Sequence, residues 1–372
     1  MPALIDVARA QLELVARQSL ARSLKETERL GHGIVRRGGK DYVSFSCNDY
    51  LGLAHHPRVI AAARDALERY GAGAGASRLV TGSHPPYTAL ERQLAALKGT
   101  ERSLVFGSGY LANLGVIPAV VGKNDLVLAD RLSHACTWDG TRLSGATVMR
   151  FNHNSLNHCR ELLVQHRAAF EHCLILTETV FSMEGDRGPV AGLYALARGH
   201  DAWLMTDDAH GLGTCAKHEA DLQMGTLSKA VGSYGGYVCG RSDVIALIEN
   251  KARSLLFATG LPPASVAAAT AALAIMNEDE SLREKPLENA RIFTSALGRP
   301  PAESPIVPVI MGEAVTALSA AAMLEAQGYL VVPIRPPTVP QGTARLRFAF
   351  SAMHRAQDID RAASLLKEHG YS

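Results

Sequence analysis

Between residues 103 and 240, short apolar runs alternate with stretches of helical period, and this alternation restricts the chain to few architectures. Ser103–Phe106, Asp125–Ala129, Thr147–Phe151, Leu174–Glu178, Ala202–Asp207 and Gly236–Cys239 have the length of strands. Leu156–Phe170 and Val190–Gly199, lying between them, repeat apolar residues at helical spacing. Parallel neighbours need a long crossover, which a helix supplies, so the pattern predicts an α/β fold with a mostly parallel sheet.

The flanks read differently. Residues 2–30 have the apolar spacing of an amphipathic helix, and Asp41–Phe45 that of a short strand. Beyond Met276 the order becomes strand (Ser304–Met311), helix (Ala314–Gln327), strand (Tyr329–Pro333), strand (Arg345–Phe350) and helix (Asp358–His369). A chain of 372 residues suits two domains. The expected division is an N-terminal arm (1–45), a large domain (46–276) and a small C-terminal α+β domain (277–372).

Charge and cysteine use exclude several classes of function. Lys and Arg number 38 against 36 Asp and Glu, with no basic run, which argues against a nucleic-acid binder. Six cysteines without a CxxC pair argue against a zinc site or a disulfide framework, so no metal is expected and a reducing compartment is. Asp6, Glu13 and Arg17 interrupt the N-terminal apolar pattern as no secretory signal would. The most apolar stretch, Leu261–Met276, is shorter than the roughly 20 residues a membrane span needs. The expectation is a cytoplasmic protein with no membrane or nucleic-acid partner.

Four segments carry residues suited to chemistry. Gly107-Ser108-Gly109-Tyr110 joins a strand to a helix, whose first amides lack intrahelical acceptors and suit a phosphate. Taken alone, a tight strand–helix connection explains that turn equally well, and its spacing is not the GxGxxG of dinucleotide folds. Thr206-Asp207-Asp208-Ala209-His210-Gly211 closes a strand, where open parallel sheets bind ligands. A carboxylate there can keep a pyridinium nitrogen charged; a helix cap beside a core histidine is the plainer explanation. Lys229, in Thr226-Leu227-Ser228-Lys229, sits among small residues just past a strand. Partial desolvation would suit that amine for Schiff-base chemistry, although most lysines are simply solvated. Arg345 and Arg347 share one face of a strand, as carboxylate binders or as an exposed polar face. A phosphate turn, an acid for a pyridinium, an amine and a carboxylate-binding arginine together sketch a pyridoxal-phosphate enzyme.

Read together, Asn48–Leu53 (NDYLGL), Gly107–Tyr110, Asp130–Ala135 (DRLSHA), Glu178–Asp186 (ETVFSMEGD), Asp207–Gly211 (DDAHG) and Thr226–Lys229 (TLSK) resemble the α-oxoamine synthases. The likeness runs in order from about residue 40 to 360. It implies the fold-type I architecture of pyridoxal 5'-phosphate enzymes, with a mostly parallel large domain and a small α+β domain. It also implies a decarboxylative condensation of an amino acid with an acyl thioester. Within the family, Ile334–Arg347 (IRPPTVPQGTARLR) resembles the biotin-pathway branch, which uses L-alanine and pimeloyl-CoA or its acyl carrier protein thioester. The alternatives are the glycine C-acetyltransferase or 5-aminolevulinate synthase type and, further off, an aminotransferase or aldolase.

The resemblance assigns roles residue by residue. Lys229 would carry the cofactor, Asp207 pair with the ring nitrogen, His210 with the ring 3-oxygen, and His134 stack on the ring. Ser182 would reach the ring oxygen or the substrate. The Gly109 and Tyr110 amides, with Thr226, would hold the phosphate. Asn48 and Arg347 would meet the amino-acid substrate, Arg347 at its carboxylate, with Arg22 and Thr338 at the acyl thioester. The family also implies a homodimer with its site at the interface, and Phe257–Pro263 resembles the segment that reaches the neighbouring phosphate. One departure is that the loop between His210 and Thr226 is shorter than in the family members this sequence most resembles, with the strand feeding Thr226 kept.

Overall fold

The computed structural model describes residues 3–17 and 20–371. It comprises two compact units. One holds the chain up to Asn48, Met183–Gly185 and everything from Pro286 on; the other holds Asp49–Ser182 and Asp186–Lys285.

The first unit begins with the helix Leu4–Arg17, none of whose residues is buried. The helical period expected over residues 2–30 therefore stops early. Gly31, His32 and Gly33 all take positive φ (82°, 50° and 75°), which turns the chain into a hairpin. Its strands are β1 (Glu28–Gly31) and β2 (Ile34–Arg37), and Glu28 stands opposite Arg36. Glu28 could have continued a helix, but cross-strand pairing with Arg36 takes it instead. The next strand, β3 (Lys40–Ser44), extends this sheet antiparallel to β2.

The second unit is built on seven strands: β4 (Arg102–Phe106), β5 (Leu126–Asp130), β6 (Thr147–Phe151), β7 (Cys173–Glu178), β8 (Trp203–Asp207), β9 (Leu222–Thr226) and β10 (Gly236–Gly240). Their spatial order is β4-β10-β9-β8-β7-β5-β6, with β10 antiparallel to both its neighbours and every other pair parallel. The central strands are covered on both faces, so β5 and β7 are buried at every residue rather than alternating, whereas the edge strand β6 stays largely exposed. Val127, Leu174 and Met205 enter one core with Val116 and Ile117. Leu126, Leu128, Ile175 and Leu204 enter the other, with Leu163 and Leu193. The carboxyl ends of β5, β7, β8 and β9 are Asp130, Glu178, Asp207 and Thr226, and these polar ends mark where the sheet can hold a ligand.

The remaining strands return to the first unit: β11 (Ile306–Gly312), β12 (Tyr329–Leu330), β13 (Pro333–Ile334) and β14 (Ala344–Ala349). Tyr329–Pro333, expected as one strand, serves two sheets. β12 pairs with β3 in parallel, whereas β13 pairs with β14. Between them the Val332 amide donates to Ser46 Oγ at 2.8 Å, and Pro333 has no amide to continue the ladder. Phe45, Phe293, Phe348 and Phe350 form the centre of this unit's core, the Phe293 and Phe348 rings lying 4.5 Å apart. Every residue of β14 is buried, Arg345 and Arg347 included, so the two arginines do not form a solvated strand face.

Candidate active site

At the carboxyl ends of the parallel strands, a cavity of about 240 Å³ opens in the large unit. Glu178, Asp207 and Thr226 come to it from strand ends, and Ser182, Ala209, His210 and Lys229 from the turns that follow. Ser108, Gly109, Tyr110, His134 and Cys136 complete it from two helix N-termini.

Asp207 is held as an anion would be. Its carboxylate accepts from the Ala209 amide at 2.9 Å and from Asn113 Nδ2 at 3.1 Å. Burial raises its pKa, while Lys229 and these donors oppose the rise. Glu178, its cross-strand partner, accepts the His134 amide at 2.6 Å, and burial together with the Asp207 charge pushes it well above the usual carboxylate range. Burial lifts Glu178 further than Asp207, so Asp207 is the carboxyl suited to carry charge.

Lys229 is half-buried, and its Nζ lies 2.7 Å from Nε2 of His210. The Tyr50 hydroxyl, 2.6 Å from Nδ1, holds the other edge of that imidazole. At the opposite end the helix Gly109–Val120 starts on the cavity, capped by Ser108 Oγ, which accepts the Leu111 amide at 3.2 Å. The amides of Gly109 and Tyr110 precede that bond, where a helix has no internal acceptors. Thr226 packs on Gly109, and its hydroxyl donates to the Gly235 carbonyl at 2.9 Å. The helix end can come this close because Gly236 has no side chain: a Cβ there would lie 2.3 Å from the Ser108 oxygen. Tyr110 is itself exposed, donating to Asp139 at 2.5 Å.

Pyridoxal 5'-phosphate requires an amine for its aldehyde, a buried anion for its ring nitrogen, and donors for a phosphate dianion. Lys229, Asp207 and the helix N-terminus supply these three around one cavity, and the cradle at Gly236 leaves room for the third. The residues fit the group.

In the small unit, Arg347 Nη1 donates to Asn48 Oδ1 at 3.1 Å, and Arg345 is engaged by Glu184 at 3.0 Å. Of the two arginines, Arg345 is thus taken up structurally. Arg22, exposed, donates to Thr338 Oγ1 at 3.2 Å beside a cavity of about 780 Å³ that Lys25, Arg37 and Arg335 also line.

The sequence reading gave no role to Asn113, Cys136, Tyr50 or Glu178. Asn113 lies one helical turn past Gly109, so helical spacing from the phosphate turn would have found it. Tyr50 and Glu178 lie inside segments already singled out. Cys136 had no signal beyond standing two residues after His134.

Comparison with known proteins agrees with this geometry. The family model for aminotransferase class I and II matches residues 40–366. The 8-amino-7-oxononanoate synthase of Methylobacterium nodulans is 56% identical over 370 residues, covering 99% of this chain and 98% of the relative. That of Methylorubrum populi is 58% identical over 351 residues, covering 94% and 91%. Among solved structures, a serine palmitoyltransferase variant from S. paucimobilis with bound PLP–myriocin has a TM-score of 0.92 at 28% identity, covering 99% of this chain and 98% of that one. The 8-amino-7-oxononanoate synthase of Francisella tularensis has a TM-score of 0.75 at 25% identity, covering 89% and 98%. With the pocket chemistry and these likenesses together, the chain belongs to the aminotransferase class I and II family of pyridoxal-phosphate enzymes, on its α-oxoamine synthase branch.

Proposed function

We propose that this chain is an 8-amino-7-oxononanoate synthase, condensing L-alanine with a pimeloyl thioester to give 8-amino-7-oxononanoate, the free thiol and CO₂ in biotin biosynthesis. The observation that carries the reading is the amine of Lys229 on His210 in one cavity with the buried Asp207 carboxylate. Full-length relatives of that name supply the choice of substrates.

Pyridoxal 5'-phosphate, when bound, supplies a carbonyl that takes up the amino acid and a ring that accepts the electrons released at Cα. The rest falls to the protein. Lys229 would hold the cofactor through Nζ and, as a free amine, would take the Cα proton of the amino acid. His210, fixed by Tyr50, keeps that amine oriented. Asp207 holds the proton on the ring nitrogen, and the Gly109 and Tyr110 amides with Thr226 hold the phosphate. His134 would pack on the ring face, and Ser182 lines the same cavity. Arg347, oriented by Asn48, takes the alanine carboxylate, and Arg22 and Thr338 meet the acyl thioester.

A homodimer suits the exposed Leu79, Val80, Tyr234 and Phe257 side chains of the large unit. CoA or an acyl carrier protein delivers the acyl group. The scattered cysteines, with no CxxC pair, support a cytoplasmic setting, and no helix among the described residues is long and apolar enough to cross a membrane.

The test is steady-state release of thiol and CO₂ across alanine, glycine and serine against pimeloyl-, acetyl-, succinyl- and palmitoyl-CoA. Highest kcat/KM for alanine with the pimeloyl thioester is expected. Preference for glycine with a short acyl group, or keto-acid formation without thiol release, overturns the reading.

A further inference from the structure

His134 sits at the N-terminus of the helix Ala135–Ser144 and caps it with its own ring: Nδ1 accepts the Cys136 amide at 3.2 Å. That amide favours a bare Nδ1, but at 3.2 Å it is at the long limit of a hydrogen bond and only biases the tautomer. The same nitrogen lies 2.9 Å from Cys136 Sγ. Burial and the nearby Asp207 push that thiol up to about 12, so at neutral pH it holds its hydrogen and can donate. The sulfur in turn accepts from Asn113 Nδ2 at 3.0 Å, and this amide also donates to Asp207 Oδ2 at 3.1 Å. Reversing the Asn113 amide would set its oxygen against a carboxylate, so its orientation is fixed. Asn113 and Cys136 are both buried.

We infer that Cys136 and Asn113 are positioning residues that lock His134 in the Nε2–H tautomer and tie this ring to the Asp207 carboxylate. The donors run one way. The two Asn113 amide hydrogens go to Asp207 and to Cys136 Sγ, the Cys136 S–H goes to His134 Nδ1, and the imidazole is left with a single N–H, on Nε2. The ring lines the cavity together with Cys136. Although the residue is exposed at the cavity mouth, desolvation of the ring, the helix N-terminus and Lys229 lower its pKa more than Asp207 and Asp139 raise it, so the ring is neutral at neutral pH. A neutral ring stacks on a cofactor without adding charge, and its fixed N–H can donate to the oxygen that gains charge when the thioester carbonyl is attacked. That last use rests on the proposed function; the tautomer rests on the geometry alone.

The experiment is ¹⁵N NMR of histidine-labelled holoenzyme at neutral pH, with His134 assigned by comparison with His134→Asn. A bare Nδ1 and a protonated Nε2 are expected in the wild type. Cys136→Ala should mix the tautomers and lower kcat roughly tenfold, the worth of one hydrogen bond, while KM for alanine stays unchanged. Cys136→Ser, which restores a donor, should recover both signals. Cys136→Val, similar in size and without a donor, gives the same reading if the alanine variant does not fold. A proton on Nδ1 in the wild type overturns the inference. So do unchanged ring shifts and unchanged kcat in the variants that lack a donor. If no amino-ketone forms with any thioester, the proposed function fails while the ring nitrogens still report the tautomer.

Discussion

Glu178 and Asp207 stand directly across from each other on the parallel strands β7 and β8, both buried and both on the cofactor cavity. Two adjacent buried carboxyls do not readily ionise together. Burial and the Asp207 charge push Glu178 well above the usual carboxylate range, whereas Lys229, the Ala209 amide, His134 and Asn113 limit the rise of Asp207, so Glu178 is the one that keeps a proton. Glu178→Gln, which copies that neutral form and can still accept the His134 amide, is expected to leave the unfolding temperature unchanged. Asp207→Asn removes the charge proposed to face the ring nitrogen and should lower kcat by roughly 10²–10³-fold. Thermal unfolding and kcat, measured on both variants, check the assignment.

On the other side of the same turn, Asp208 pairs with Lys98 at 2.5 Å, and both side chains are withdrawn from solvent. Lys98→Met leaves a buried carboxylate without its cation, which costs about 3–5 kcal/mol. Adding Asp208→Asn should recover much of that loss. Urea denaturation of the single and double variants measures it.

Gly236→Ala would set a Cβ 2.3 Å from the Ser108 oxygen and 2.5 Å from the Gly109 nitrogen, both backbone atoms. The helix end carrying the phosphate-binding amides must then move. Affinity for pyridoxal 5'-phosphate should fall at least roughly tenfold, equivalent to one lost hydrogen bond, while affinity for pyridoxal, which has no phosphate, changes less. Equilibrium titration with both compounds distinguishes a displaced helix end from general destabilisation.

Arg347→Lys keeps the charge but loses the planar fork that grips a carboxylate. KM for alanine should rise roughly tenfold or more, with the cofactor spectrum unchanged, because one charge-assisted hydrogen bond is worth about 1.5–3 kcal/mol.

A buried histidine and a half-buried one give opposite pH effects. His354 donates or accepts only within the fold, between the Ser44 carbonyl and the Ser351 amide, and burial lowers its pKa to about 4. Between pH 6.5 and 4 the unfolded chain therefore binds a proton that the native one refuses, and stability falls as the pH is lowered through that window. For His153, burial alone would lower the pKa, but hydrogen bonds to Asp130 at 3.0 Å and Asp186 at 2.8 Å outweigh it and hold the group up to about 10. Its contribution is complete below pH 6.5 and is lost as the pH rises towards 10. His354→Gln should flatten the acid limb of the stability profile, and His153→Gln the alkaline limb, both read by denaturant unfolding across pH.

The sequence by itself determined six of the seven strands of the sheet. Runs such as Asp125–Ala129 and Leu174–Glu178, spaced by helical segments, have few ways to bury both faces, whereas Leu222–Thr226, broken by Gln223 and Gly225, gave no such apolar run. It also marked Asp207, Lys229 and Gly109, because they punctuate strand ends where the backbone must turn. What the local pattern could not decide depended on partners distant in the chain. Glu28–Gly31 became a strand through its hairpin with β2, and Tyr329–Pro333 was divided between two sheets. Arg345 and Arg347, equivalent by alternation, were separated by Glu184 and Asn48, more than 160 residues away. Asn113 and Cys136 looked like ordinary helix residues until folding brought them together between Asp207 and His134. Hydrogen bonds across long loops depend on three-dimensional proximity, which a linear period of 2 or 3.6 does not encode.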